Sequence, residues 1–148
     1  MIKQANVADL EDIISLFEAY RTFYRHPSDL QGCRKFLTER LAHKESVIFI
    51  VYLEGKPVGF TQLYPKYSSA RLAKNWILND LFVDSDARNR GLGQQLIQTA
   101  VEFAQIDGAT FVQLETQVEN VIAQSLYKKM GFALQEPDTE FLVFKKQV

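Results

Sequence analysis

Residues 75–116 constrain the fold more than any other stretch. NWILNDLFV (75–83) reads as a strand, apolar and partly β-branched. A bend, DSDARNRG, follows, and GQQLIQTAVEFAQ (93–105) reads as a helix. Within 92–106, Leu92, Leu96, Ala100 and Phe103 recur on one side. GATFVQLET (108–116) reads as a further strand. Strand, helix and strand in this order predict a β-α-β unit with parallel strands and a right-handed crossover.

The flanks add antiparallel structure and helices. MIKQA (1–5) is a short candidate first strand. Asn6 is placed to cap a helix over 7–20, with Asp9 three residues on and Leu10, Ile13, Ile14 and Phe17 as its apolar stripe. After TFYRHPSD (22–29), Ser28 or Asp29 caps a second helix with the stripe Leu30, Cys33, Leu37, Leu41. VIFIVYL (47–53), the turn EGKP and VGFTQLY (58–64) predict a hairpin, and PKYSSAR (65–71) a loop. AQSLYKKM (123–130) reads as a short helix stopped by Gly131. FAL and TEFLVFKK read as last strands around the turn EPD. The expected class is α/β of the α+β type: a central mixed, mostly antiparallel sheet with helices on both faces, in one domain over 1–148.

Bulk properties narrow the function classes. A chain of 148 residues is the usual size of one domain, and a chain this long buries roughly 70% of its unfolded surface. Seventeen basic residues against 18 acidic ones give no basic stripe, so neither nucleic acid nor an anionic membrane is expected as a partner. Cys33 is the only cysteine; with the distant His26 and His43 it makes no metal site, so no metal is expected. The start lacks a signal-peptide pattern, and no window nears the ~18 apolar residues of a membrane span. A cytoplasmic location is the expectation.

The bend at 84–96 carries the chemistry. A helix start presents unpaired backbone N–H groups and about half a positive charge, which suits phosphate. Gly91 and Gly93 let an anion approach the backbone, and Arg88 and Arg90 add charge. The same features also describe a plain tight turn with solvated arginines. The dinucleotide fingerprint lacks its third glycine, since position 96 is Leu, and the P-loop fails because Gln94-Gln95 follow Gly93.

Arg88-Asn89-Arg90-Gly91-Leu92-Gly93 resembles the R/Q-x-x-G-x-G/A signature of the GCN5-related N-acetyltransferase superfamily. ENVIAQSLYKKMGF (119–132) resembles its second signature, N-x-x-A-x-x-L/F-Y-x-K-x-G-F. Together the two motifs and the segment between them span 75–132. The resemblance implies acetyl-CoA as donor and a primary amine as acceptor. It implies that the backbone at Leu81, Phe82 and Val83 pairs with the pantetheine arm. It assigns the pyrophosphate to the N–H groups of Arg88, Asn89, Arg90, Gly91, Leu92, Gly93 and Gln94. Asn120, beside Ala123, reaches the pantetheine, and Tyr127 faces the sulfur.

Amide formation from a thioester needs a neutral amine, and an alkyl amine is under about 0.1% neutral near pH 7, a cost of roughly 4–5 kcal/mol. A base, a water chain or desolvation must offset this. A backbone N–H of Leu81 or Phe82 is the candidate oxyanion donor, and Tyr127 the candidate acid for the departing thiolate. Tyr127 also fits a half-buried packing role beside Ala123, Leu126 and Met130. Many relatives carry Glu-Asp where this chain reads Asn79-Asp80. Asn79 takes no proton, and Asp80 faces the other side of the strand unless a bulge intervenes. The expected catalytic set is Tyr127, Asn79 and Asp80: a water held by Asn79, with Asp80, or else Glu115, as receiver. A structural role for Asp80 at a strand kink is the alternative.

For the acceptor, the first two helices and the loop before the third long strand supply Tyr20, Phe23, Tyr24, Asp29, Tyr64 and Tyr67. Tyr24, Asp29 and Tyr64 are the substrate-binding candidates, through cation–π contact and ion pairing. Arg21 and Arg25 would instead read a carboxylate, favouring an amino acid over a polyamine. The expected activity is acetyl transfer to a small-molecule amine by direct attack in a ternary complex. An acyl-CoA-binding regulatory module and a protein lysine or N-terminal acetyltransferase remain as other readings. The resemblance also allows a homodimer through the C-terminal strands.

Overall fold

A computed structural model describes all residues, Met1–Val148. The order is β1 (Ile2–Gln4), α1 (Leu10–Phe23), α2 (Leu30–Ala42), β2 (Val47–Leu53), β3 (Lys56–Ser68), β4 (Ala73–Val83), α3 (Leu92–Ile106), β5 (Val112–Gln113) and α4 (Val121–Lys129). The five strands form one sheet in sequence order. β1, β2, β3 and β4 pair antiparallel, while β5 joins β4 in parallel. This is the expected α+β class with a mixed, mostly antiparallel sheet.

The caps follow from local chemistry. Asn6 accepts from the Ala8 N–H at 2.8 Å, and Asp9 accepts from the Asn6 N–H at 2.9 Å. This reciprocal pair starts a 3-10 turn, so the regular helix begins at Leu10 and not at residue 7. Asp29, not Ser28, caps α2 by accepting from the Gly32 N–H at 2.9 Å.

Alternation along the strands sorts the core into two layers. Ile48, Ile50, Tyr52, Phe60 and Phe82 pack with Ile13, Ile14, Leu16 and Phe17 of α1 and with Cys33 and Leu37 of α2. On the opposite face Phe103 of α3 meets Phe49 at 5.7 Å and Trp76 at 5.2 Å between ring centroids. Leu96, Ile97, Ala100 and Ala104 are buried along the same helix. Each such large apolar side chain contributes about 1.5–3 kcal/mol on burial.

Three expectations are corrected. The loop expected over 65–71 is largely strand: β3 runs on to Ser68, pairing Pro65 with Trp76 and Ser68 with Ala73, because β4 supplies a partner for each residue. The turn moves to 69–72. The strand expected over 108–116 shrinks to Val112–Gln113. Asn75 Oδ1 accepts from the N–H groups of Thr110 and Phe111 at 2.8 and 3.2 Å, so a side chain replaces the ladder there. The last strands, FAL and TEFLVFKK, do not form: no helix or strand follows Lys129. Asp138 Oδ1 instead accepts from the Glu140 and Phe141 N–H groups, turning the backbone where a strand would start.

Packing divides the chain into two compact units, Met1–Glu115 and Thr116–Val148. The second is built on α4. Asn120 Oδ1 caps its start from Ala123 N–H at 3.1 Å. At its end Gly131, at φ +93°, donates to Lys128 O, and Phe132 N–H donates to Tyr127 O. That is a Schellman stop, and the Tyr127 and Phe132 rings, 6.1 Å apart, form its apolar contact.

Asn75 is 6% exposed and holds the start of β5 in place. Asn75→Ala is expected to destabilise the protein by about 1–3 kcal/mol, the loss of two hydrogen bonds at about 0.5–1.5 kcal/mol each, in urea unfolding. A loss below about 0.5 kcal/mol would show that water replaces the amide.

Candidate active site

The register of β3 on β4 breaks once. Gln62 pairs with Asp80 and Leu63 with Leu78, so Asn79 has no partner on β3. One extra residue in one strand is a β-bulge. Leu78 lies on the α3 side by alternation, and strict alternation would return Asp80 to that side. The bulge instead places Asp80 on the face of Phe60 and Phe82, toward α1. The condition under which Asp80 faces the same side as Asn79 is therefore met. Asn79 Nδ2 donates to Asp80 Oδ1 at 3.0 Å.

Asp80 is 5% exposed and densely bonded. Gln62 Nε2 donates to its Oδ2 at 2.8 Å, and Ser46 Oγ donates to Gln62 Oε1 at 2.8 Å. Thr61 Oγ1 donates to the Asp80 carbonyl at 2.8 Å. The side-chain donors on the carboxylate are neutral, and no salt bridge reaches it.

Aromatic rings wall this acid. Tyr20 sits edge-on to Phe60 at 5.8 Å and to Phe82 at 6.3 Å, and Tyr24 sits edge-on to Tyr20 at 5.1 Å. Burial first, then the charge and hydrogen bonding of Asp80, push the Tyr20 phenol far above the usual tyrosine range. Burial and then the Asp80 charge push Tyr64 up to about 12. Both phenols are thus neutral donors at any physiological pH.

The bend after β4 is shaped by backbone geometry. Asn89 and Gly91 have φ of +63° and +74°. No side chain caps α3, and a Cβ at Gly91 or Gly93 would meet nothing within 4 Å. An uncapped helix start with open space before it fits an anionic group such as a diphosphate. Arg88 departs from the expected picture. Its N–H donates to Ser85 O at 3.4 Å, its Nε donates to Val83 O at 2.9 Å, and its guanidinium lies over Phe23 and Phe82. It braces the end of β4, while Arg90 is exposed. β5 pairs with β4 only at Trp76 and Ile77, so no strand pairs the outer edge of Leu81, Phe82 and Val83. A cavity of about 440 Å³ adjoins the bend, lined by Glu54, Lys56, Asp84, Asp86 and Arg90 among others. Its acidic majority makes it a poor diphosphate site, and the α3 start is the better one.

The remaining candidates divide. Tyr24 falls near Asp80 through its ring contact with Tyr20, and Tyr64 through the Asp80 charge that acts on it. Asp29 does not join them: its carboxylate caps α2. Arg21 donates to Pro27 O at 2.9 Å, closing the α1–α2 turn, and Arg25 lies in that turn at φ +64°. Tyr67 and Glu115 are exposed. In the second unit the Asn120 oxygen is the α4 cap. Ser46 and Gln62 were not legible: no motif marks them. The one signal was an amide inside VGFTQLY, a run otherwise suited to a buried strand.

Comparison with known proteins converges on one family. The acetyltransferase (GNAT) family model matches residues 10–132. An uncharacterized N-acetyltransferase of Bacillus subtilis (strain 168), YhfO, is 45% identical over 141 residues, covering 95% of this chain and 93% of its own. A probable acetyltransferase of Haemophilus influenzae is 33% identical over 140 residues, covering 90% of each chain. The crystal structure of a probable acetyltransferase superposes with a TM-score of 0.88 at 37% identity, covering 100% of this chain and 97% of that one.

The buried phenols set an alkaline limit on stability. Tyr64 and Tyr52, the latter shifted by burial and by its bond to Asp12, both titrate near 12 in the fold, against about 10 when unfolded. Their stabilising contribution is complete below pH 10 and is lost as pH rises toward 12. The urea midpoint is expected to fall across that window, less steeply in Tyr64→Phe. A midpoint that holds level to pH 12 would contradict this.

Proposed function

The chain belongs to the GNAT acetyltransferase family and is an N-acetyltransferase; from that premise we propose that it acetylates the primary amine of a small molecule, a polyamine or an amino acid, with Asp80 as the proton receiver. The observation that carries this is the bulge at Asn79. It turns a buried carboxylate, held by amide donors, toward a wall of tyrosines on α1 and β3. No helix is long and apolar enough to cross a membrane.

The family uses acetyl-CoA, which supplies the activated acetyl thioester. In this reading the α3 start and the Gly91–Gly93 backbone hold its diphosphate, and the outer edge of Leu81–Val83 receives the pantetheine arm. Tyr20, Tyr24 and Tyr64 hold the incoming ammonium by cation–π contact beside the Asp80 charge. A water ordered by exposed Asn79 carries one ammonium proton to Asp80, leaving the amine neutral. The amine nitrogen bonds to the acyl carbon, the carbon–sulfur bond breaks, and Tyr127 gives the sulfur its proton. A second proton leaves the nitrogen as the amide forms, restoring Tyr127 through solvent. The place of Tyr127 in its signature supports its role.

Thiol release measured with polyamines, D- and L-amino acids and lysine peptides tests the proposal. Saturable acetyl-CoA uptake without thiol release on any amine would indicate a regulatory module instead. Release on lysine peptides alone would indicate a protein substrate. Asp80→Asn is expected to lower kcat by about 10²-fold and Tyr127→Phe by about ten-fold, with acetyl-CoA affinity kept in both. Unchanged turnover where chemistry limits the rate would remove either residue from the mechanism. Gly91→Val, strained at positive φ and filling the open space before α3, is expected to raise the acetyl-CoA Kd with little change for the amine. Equal weakening of both would place the diphosphate elsewhere.

A further inference from the structure

We propose that the acceptor amine carries a carboxylate and that Arg40 of α2 binds it, which makes Arg40 the residue that separates amino acids from polyamines as substrates. This rests on the reading of the chain as an acetyltransferase of small amines and adds to it the class of amine.

Arg40 is a covered cation with too few acceptors. Its side chain is 20% exposed, and its Nε is buried without a hydrogen-bond partner. A buried donor left in that state is rare in a folded protein and marks a place where an acceptor belongs. Two acids stand near it. Glu39 Oε2 lies 3.4 Å from Nη2, and Glu45 Oε2 lies 3.7 Å from Nε. Each offers one long contact from a largely solvated carboxylate, and Glu45 is shared with His43, whose Nδ1 lies 3.4 Å from its other oxygen. Neither makes the two short parallel bonds that a guanidinium forms with a well-placed carboxylate.

The surroundings hold this cation on the acceptor wall. Phe36, one turn earlier in α2, lies under the guanidinium, 4.4 Å from Cζ to its ring centroid. Phe36 stacks on Phe17 at 6.0 Å, and Phe17 meets Tyr20 at 6.1 Å and Phe60 at 6.0 Å. Arg40 thus rests on the same aromatic cluster that walls Asp80. The backbone also brings it to Tyr64. Glu45 N–H donates to Arg40 O at 2.9 Å, Ser46 and Gln62 bond through their side chains at 2.8 Å, and Val47 pairs with Leu63. Tyr64 comes next, on the face of Gln62 and Phe60 by alternation. After burial, the Asp80 charge raises the Tyr64 phenol and the Arg40 charge lowers it, so both groups lie within reach of that ring.

Asp80 and Arg40 do not pair with each other. Asp80 is bonded by Gln62 and Asn79, while Arg40 stands beside Glu39 and Glu45. With the acceptor nitrogen at Asp80, as in the proposed reaction, Arg40 meets what the acceptor carries beyond that nitrogen. A carboxylate there gains a forked donor, and the Tyr64 O–H adds a neutral one. A polyamine would set a second ammonium against the guanidinium, and that repulsion selects against it. Arg21, the other arginine near the wall, is engaged in the α1–α2 turn.

Thiol release with matched pairs that differ by one carboxylate tests this: L-lysine and cadaverine, L-ornithine and putrescine, 5-aminovalerate and butylamine. In the parent protein kcat/KM is expected to favour the carboxylate-bearing member by about tenfold or more. Arg40→Met is expected to cut that ratio by about ten- to a hundred-fold, mainly by raising the KM of the carboxylate-bearing member. Arg40→Lys, which keeps the charge but loses the fork, is expected to fall between. Thiol release that favours the diamines, or both members alike, overturns the inference and leaves small-amine acetylation standing. A carboxylate preference that survives in Arg40→Met and Arg40→Lys overturns it too, as does an equal loss on both members, which would mark Arg40 as structural. No release on any small amine removes the proposed function and this inference with it. Arg40→Lys carries the test if Arg40→Met does not fold.

Discussion

One unpaired residue in β4 determines where the acid of this protein lies. Strict alternation past Leu78 would send the Asp80 carboxylate to the α3 layer, among Leu63, Leu92 and Leu96. An ionised acid left there without donors would cost several kcal/mol, so it would be neutral or the strand would not form. The extra residue at Asn79 reverses that. It also adds local twist, and bulges commonly end pairing. The pairing of β4 with β5 stops at Ile77, two residues before the bulge. The inward acid and the unpaired outer edge of Leu81–Val83 thus share one backbone irregularity.

Much of this was readable where local chemistry decides the outcome. Asn6, Asp29 and Gly131 mark helix ends by bonds to backbone within a few residues, and each acts as its type predicts. The amphipathic spacing of Leu92, Leu96 and Ala100 gave α3. Readability failed where a distant partner decides. Pro65–Ser68 are strand only because Ala73–Trp76 lie opposite them. The strand at 108–116 is curtailed by the Asn75 side chain, more than thirty residues away along the chain. TEFLVFKK has strand composition, but the Asp138 turn takes its first donors. In the site, Asn79 and Asp80 were legible as a pair through the family pattern. Ser46 and Gln62 were not, because their meaning lies in a hydrogen-bond order that only the register of β2, β3 and β4 creates.

Residues chosen for chemistry here also carry structure, which tempers any single-mutant reading. Arg88 opens the pyrophosphate signature, yet its side chain ties Val83 O to the faces of Phe23 and Phe82. It joins the end of β4 to the end of α1, which puts the loop and the aromatic wall in mechanical contact. In the proposed reading the attraction for an anion then comes from the backbone N–H groups at the α3 start and from exposed Arg90, in keeping with a chain of near-zero net charge. Tyr127 is likewise both a signature residue and the apolar partner of Phe132 in the Schellman stop. Asn120 is both a signature residue and the α4 cap.

The division of labour follows from rigidity. A proton receiver must hold its geometry to fractions of an ångström, and strands paired on both sides do this better than loops. Gln62 lies on β3, which is paired on both sides, and it bonds Asp80, the receiver in the proposed reading, across the one paired side of β4 there. A diphosphate would tolerate more play, since several N–H groups would share its charge, and in the proposed reading the bend with positive φ at Asn89 and Gly91 serves it. Between these two lies the unpaired edge of β4, whose backbone groups are fixed on one side by β3 and available on the other. A chain-like ligand laid along that edge would have its anionic end set by the helix start and its reactive end set by the bulge. The distance between those ends is then fixed by the length of one strand.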